Sequence, residues 1–128
     1  MNKVILTGNI CRDCELVNTA SGKPLLINII AVQRDFKNAN GEYDTDFIHF
    51  TAWDNNATFL SQYAKKGDKV ELVGRWETGS YETANGEKRP TNKCIIETIR
   101  LINKAKFEAV DNLDPYAEKQ KDNYDLPF

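Results

Sequence analysis

Five strand-like runs interrupted by one helical pattern constrain this sequence more than any other feature. The runs are rich in β-branched and aromatic residues and are bounded by turn-forming Gly, Asn and Pro residues. They cover residues 3–10, 24–34, 44–54, 68–81 and 88–102. Between the third and fourth runs, in residues 55–66, Ala57, Leu60 and Ala64 repeat at the spacing of one helical face. The sequence therefore predicts three strands, one short helix and two further strands.

The order of these elements predicts an all-β fold. A lone helix between strands three and four of a small five-stranded sheet is the wiring of an OB-fold barrel. Asn-Gly pairs at 40–41 and 85–86 predict hairpin turns, since this dipeptide accepts positive φ at little cost. Either Asp54 or Asn55 is predicted to cap the start of the helix. The alternative is another small β-barrel, or a sandwich with a helical insert.

The chain has room for one domain, because it contains 128 residues. We expect the OB-fold domain to cover residues 1–103, where the strand patterning ends. Residues 104–128 are dominated by charged side chains and are predicted to form a flexible, disordered tail. The tail ends on the apolar tip Leu126, Pro127 and Phe128, which suits a binding partner better than it suits water. The alternative is that the tip packs on its own domain.

The charge balance and the apolar runs exclude several classes of protein. The chain has 17 basic and 19 acidic residues and a net charge of -2, and residues 1–103 hold 13 of each sign. A duplex-DNA binder usually shows a marked basic excess. No apolar run is long enough to cross a bilayer, and the first residues lack the pattern of a secretory signal. The sequence therefore predicts a cytoplasmic protein.

The chemistry-bearing side chains do not predict a metal site or an enzyme. Cys11 and Cys14 have zinc-ligand spacing, but a structural zinc site needs four ligands and only Cys94 and His49 remain. The odd cysteine count also argues against a disulfide framework. We expect two reduced thiols in an exposed turn, a buried Cys94 and no cofactor. One His, with no phosphate loop and no paired-carboxylate motif, predicts no catalytic activity.

The third run carries the most informative aromatic pattern. Because side chains alternate along a strand, one face is shared by Phe47, His49, Thr51 and Trp53. The other face, with Phe50 at its centre, is predicted to be core. Aromatic rings on a non-core face suit stacking with unpaired bases, which contributes about 1–3 kcal/mol per base. The alternative is that Phe47 and Trp53 fill a second packing layer or a subunit interface.

Two further aromatic residues lie near the predicted hairpin turns. Phe36 lies beside the basic residues Arg34 and Lys37, and Tyr81 follows Ser80. Hairpin tips expose their side chains, so both rings are harder to assign to the core and are predicted to be available for stacking.

Four segments occur together in a specific combination. They are MNKVILTGNI at the start, NANGEYDTDFIHFTAWD in the middle, YAKKGDKVELVGRWETGSYETANGEKR after the helix and NYDLPF at the end. On these segments the chain resembles the bacterial and phage single-stranded DNA-binding protein family over nearly its whole length. The resemblance implies an OB-fold that binds and protects single-stranded DNA, without strong sequence preference, during replication, recombination and repair. It also implies a homotetramer, association with the nucleoid, and recruitment of replication and repair proteins.

The resemblance further implies residue roles. The base-stacking residues fall on Phe36, Phe47, Trp53 and Tyr81. The phosphate-binding residues fall on Arg34, Lys37, Arg75, Lys65, Lys66 and Lys88. The partner-binding tip falls on Asp122, Asp125, Leu126, Pro127 and Phe128. An OB-fold module that chiefly binds proteins is the alternative, and aromatic residues turned into a subunit interface would favour it.

The chain departs from the family pattern at several positions. Glu77 and Gly79 stand where basic residues are often found, which predicts weaker phosphate binding by that strand. The tip has only two acidic residues, which predicts lower affinity for partners. Asn28 interrupts a strand that is otherwise apolar.

Overall fold

A computed structural model describes residues 1–104 of the chain. Its elements are strands β1 (Val4–Ile10), β2 (Val17–Asn18), β3 (Pro24–Lys37) and β4 (Tyr43–Trp53), helix α1 (Asp54–Tyr63), and strands β5 (Lys69–Glu82) and β6 (Lys88–Asn103). The five predicted strands and the helix are confirmed. The sequence does not predict β2, because two residues carry no periodicity. The predicted tail from residue 105 onward, with its tip residues, lies outside the described residues.

The five long strands close into a barrel. The strand order is β1-β5-β6-β4-β3-β2, and β1 also pairs with β3, which joins the two sides of the sheet. This closure needs glycine at position 8, because a Cβ there would lie 2.1 Å from the carbonyl oxygen of Ala31. Strands β4 and β6 pair in parallel, whereas the other pairs are antiparallel. This wiring, with the helix between β4 and β5, confirms the predicted OB-fold.

The hydrophobic core contains the predicted inner face of β4. Phe50 and Ala52 are buried, as the alternation along this strand predicts, and they pack with Leu26 and Ile30 of β3. Cys94 of β6 is 1% exposed, so its predicted role as a small core residue is confirmed. The same alternation leaves the opposite side of β4 outside the core.

Helix α1 packs against β3, β4 and β6 and buries Ala57 and Leu60, as its period predicts. The predicted side-chain cap is wrong, because Trp53 occupies the N-cap position and no side chain caps the helix. The chain passes from β4 into the helix without a loop, through Asp54, whose φ of 54° is left-handed. Asp tolerates this conformation better than most residues. Within residues 1–104, no helix has the length and apolar character needed to cross a membrane.

Three hairpin turns share one geometry. Residues 19–23, 38–42 and 83–87 each close with a backbone hydrogen bond from the first residue to the fifth and another from the glycine to the first. Gly22, Gly41 and Gly86 have φ of 81–85°, and the asparagines before the last two do not share this left-handed conformation. The two turns that the sequence predicts therefore lie at their Asn-Gly pairs, and all three turns are three-residue loops with a glycine bulge.

Candidate nucleic-acid interface

The side of β4 that faces away from the core carries two of the predicted stacking residues. Phe47 is 59% exposed and lies opposite Ala31 of β3, whereas Trp53 is half-buried and lies opposite Leu25. The predicted alternation is confirmed. We call this side of the sheet the outer face, and it continues across β3, β4, β6 and β5 through Phe47, Trp53, Ile95, Lys93, Arg75 and Tyr81.

One strand pairing extends the outer face from β4 to the second hairpin. Thr51 pairs with Ile95 of β6, and paired residues point to the same side of a sheet. Both side chains are less than one-tenth exposed but neither belongs to the core cluster. The register of β5 with β6 then pairs Ile95 with Arg75, Lys93 with Glu77, and Arg89 with Tyr81. Tyr81 therefore lies on the same face as Phe47 and Trp53.

The two hairpins extend in the same direction from this junction, because β4 and β6 run parallel there. At about 3.3 Å per residue, Phe47 lies roughly 13 Å along β4 from Thr51. Tyr81, whose partner Arg89 is six residues before Ile95, lies roughly 20 Å along the second hairpin. Trp53 lies about 7 Å from Thr51 on the other side. The three rings are thus spaced well apart along one extended surface.

Phe36 is the most exposed of the four predicted stacking residues. It is 70% exposed, and Tyr81 is 55% exposed. Phe36 lies where the pairing of β3 with β4 shifts between Gln33 and Lys37, so strand alternation does not assign its face. None of the four rings belongs to the core cluster.

Two aromatic residues outside the predicted set are also partly exposed. Tyr43 shares the outer face because its register position on β4 is odd, like that of Phe47, and the Nζ of Lys37 lies 5.8 Å from its ring centroid. That parity is the sequence signal that would have identified Tyr43. Trp76 pairs with Cys94, a core residue, so it lies on the opposite side of β5 from Tyr81.

The guanidinium of Arg34 is engaged by carboxylates on the opposite side of β4 from Phe47. Its Nε lies 3.1 Å from Asp46 Oδ2 and its Nη2 lies 2.9 Å from Asp46 Oδ1. Its Nη1 lies 3.6 Å from Asp44 Oδ2. The hydrogen bonds from Arg34 lower the pKa of Asp46, and the same bonds raise the pKa of Arg34. The structure therefore does not bring Arg34 to the outer face.

The other predicted phosphate-binding residues are divided between the two ends of the domain. Lys37 and Arg75 lie on the outer face, and Arg75 Nη1 is 3.8 Å from Glu77 Oε2. Lys88 pairs with Glu82 and lies on the other side of the second hairpin. Lys65 and Lys66 lie in the turn before β5, at the opposite end of that strand from Tyr81. The structure brings together only part of the predicted set.

The Cys11 to Cys14 turn is held on the barrel by Asn28. This asparagine is fully buried, and its Nδ2 donates to the Arg12 carbonyl oxygen at 2.9 Å and lies 3.4 Å from Cys14 Sγ. Burial raises the pKa of Cys11 to about 11, and burial also raises the pKa of Cys14. Within residues 1–104, no three His, Cys, Asp or Glu side chains form a group that could hold a metal ion. Asn28 interrupts the apolar strand because it binds this turn.

Sequence comparison places the chain beside known proteins. A model of the single-strand binding protein family matches residues 1–102. Single-stranded DNA-binding protein 1 of Lactococcus lactis subsp. lactis is 34% identical over 128 residues, which cover 100% of this chain and 85% of that protein. Single-stranded DNA-binding protein 1 of Streptococcus agalactiae serotype III is 36% identical over 102 residues, covering 80% of this chain and 63% of that protein. Single-stranded DNA-binding protein 1 of Streptococcus pyogenes serotype M18 is 33% identical over 131 residues, covering 100% of this chain and 99% of that protein.

Proposed function

The chain belongs to the single-strand binding protein family, and on that premise we propose that it binds single-stranded DNA along the outer face of its OB-fold. The observation that carries the proposal is the exposure of Phe47 and Tyr81 on one face of the sheet, with Trp53 half-buried on the same face. An exposed aromatic ring can stack on any base, so binding has no strong sequence preference. Phe36 adds a fourth ring at the end of the first hairpin.

Binding proceeds by stacking and charge neutralisation, without a chemical step. Phosphates release counterions to basic side chains, so affinity falls as salt rises. Of the six predicted basic residues, Lys37 and Arg75 have the outer-face position that supports this role. Because residues 1–103 have no net charge, stacking supplies more of the binding free energy than in a basic domain.

Tryptophan fluorescence during titration with oligo-dT tests the proposal. Stacking on Trp53 should quench its emission strongly, and a duplex of the same length should neither quench nor compete. The oligonucleotide should be recovered intact, as expected for binding without catalysis. A chain that shows no quenching, and that does not retard oligo-dT in a gel mobility-shift assay, would reject DNA binding and favour a module that binds proteins.

We further propose that the protein assembles as a homotetramer. Ile5 is 68% exposed on β1 and lies cross-strand from the partly exposed Val73 of β5. An exposed apolar surface of this kind supports association with a second copy. Native mass spectrometry should give four copies, and Ile5→Glu should shift the population to smaller species. A monomeric mass for the wild-type chain would contradict the assembly.

We also propose roles in replication, recombination and repair at the nucleoid in the cytoplasm, with partner proteins recruited through the tip. The tip residues Asp122, Asp125, Leu126, Pro127 and Phe128 lie outside the described residues, so the support is their sequence alone. Deleting residues 123–128 should abolish capture of replication and repair proteins while oligo-dT affinity is kept. Loss of DNA binding in this variant would contradict the division of labour.

A further inference from the structure

The charged side chains of the two hairpins differ in the face on which they lie. Arg34, Asp44 and Asp46 lie on one side of the first hairpin, whereas Lys37, Arg89 and Lys93 lie on the outer face. We infer that Lys93 and Arg89 bind DNA phosphates in addition to Lys37 and Arg75, and that Arg34 is a positioning residue that braces the first hairpin. The inference rests on the proposed function, and it adds two phosphate-binding positions, Lys93 and Arg89, to those that the sequence predicts.

Arg34 is neutralised before any phosphate arrives. Asp46 accepts a two-point hydrogen bond from its guanidinium, and Asp44 lies on its other edge. Asp44 is itself oriented by Asn38, whose Nδ2 donates to Asp44 Oδ1 at 3.0 Å. One arginine between two carboxylates leaves a net charge of about -1, which repels a phosphate. Exposed ion pairs are individually weak, so the sign of the cluster decides the outcome, not the strength of one bond.

Lys93 lies on the proposed DNA-binding side of the sheet, and its ammonium has no partner in the described part of the chain that would compete with a phosphate. It lies on the outer face, cross-strand from Glu77 and two residues from the junction at Ile95. The carboxylate of Glu77 is directed to Arg75 instead, with Oε2 lying 3.8 Å from Arg75 Nη1. Within residues 1–104, the ammonium of Lys93 makes neither a hydrogen bond nor an ion pair. A lysine on the side of the sheet that carries Phe47 and Tyr81 needs no rearrangement to meet a phosphate.

Lys37 and Arg89 each lie next to an exposed aromatic ring. Lys37 lies over the ring of Tyr43, and Arg89 is the cross-strand partner of Tyr81. Arg89 has one exposed contact, from Nη2 to Glu87 Oε1 at 3.0 Å, which occupies one edge of its guanidinium. A base stacked on either ring would therefore have a cation near its phosphate. On the second hairpin, the outer side carries Arg75, Arg89 and Lys93 against one carboxylate, that of Glu77, among the paired strand residues 75–81 and 89–95.

The salt dependence of oligo-dT binding tests the inference. Lys93→Gln should reduce the slope of log affinity against log salt by about 0.7, the contribution of one neutralised phosphate, and weaken binding about fivefold at 0.1 M salt. Lys88→Gln is the matched control, because it removes the same charge from the same strand on the other side of the hairpin. Lys88→Gln and Arg34→Gln should leave the slope unchanged, and Lys93→Arg should restore it.

Three outcomes would overturn the inference while leaving the proposed function intact. They are an unchanged slope for Lys93→Gln, an equal loss for Lys88→Gln, and a loss of about 0.7 for Arg34→Gln. The first would leave Lys93 without a phosphate, the second would mean that the side of the hairpin does not decide phosphate binding, and the third would make Arg34 a phosphate contact. A wild-type chain that fails to bind oligo-dT would instead reject the proposed function. Circular dichroism of each exposed-site variant should match the wild type.

Discussion

Truncating Phe47 separates stacking from electrostatics on the outer face. The ring is 59% exposed and lies opposite the small side chain of Ala31, so Phe47→Ala removes a stacking surface and little packing. We expect the free energy of unfolding to change by no more than about 0.5 kcal/mol, as for most surface substitutions. The lost base stack is worth about 1–3 kcal/mol. Since 1.4 kcal/mol corresponds to tenfold in affinity, oligo-dT should bind roughly 5- to 140-fold more weakly.

The assay is a fluorescence titration with oligo-dT at several salt concentrations, read as quenching of the tryptophan emission. A phenyl ring carries no charge, so the affinity should fall by the same factor at every salt concentration and the slope should stay unchanged. Tyr63→Ala is the matched control, because Tyr63 is similarly exposed, at 54%, but lies on α1. Its affinity should stay within twofold of the wild type.

Two results would refute this reasoning. Equal losses in Phe47→Ala and Tyr63→Ala would mean that the position of the ring does not matter. A change in the native mass of Phe47→Ala, with DNA affinity kept, would assign the ring to a subunit interface.

Four further predictions concern the scaffold and the thiol of Cys11. Gly8→Ala should lower the free energy of unfolding strongly in urea, because its Cβ would clash with a backbone oxygen of the neighbouring strand. Gly79→Ala is the control and should cost less, because its Cβ meets only the Thr91 hydroxyl at 3.1 Å. Equal losses would contradict the requirement for glycine at the point where β1 meets β3. Asn28→Ala should cost about 1–3 kcal/mol, because the Arg12 carbonyl loses its donor, and a fully stable variant would show that the turn does not need it. Burial raises the pKa of Cys11 to about 11, so alkylation of Cys11 should be slower at pH 9 in the folded than in the unfolded chain. The stability linked to this thiol is present below the unfolded pKa of about 9 and is lost as the pH rises through about 11, which urea titrations at increasing pH would detect.

The succession of five strands and one helix along the chain and the two faces of β4 follow from the sequence alone. These features depend on spacing within a single segment, and Phe50 is buried while Phe47 is exposed because neighbouring side chains on a strand point to opposite sides. Turn positions are equally local, since glycine carries the left-handed residue of each hairpin loop. The sequence therefore determined the OB-fold and four stacking candidates, of which Phe36, Phe47 and Tyr81 are exposed.

The tertiary structure decided which of these residues share a surface. Tyr81 joins the face of Phe47 only through the pairing of Thr51 with Ile95, and a shift of one residue in that register would turn it to the other side. The pairing of Arg34 with Asp46 likewise depends on the register of β3 with β4, across a shift in the ladder. Register between distant segments is a property of the packed barrel, so single-strand patterns could place the rings on strands but could not sort the cations by face.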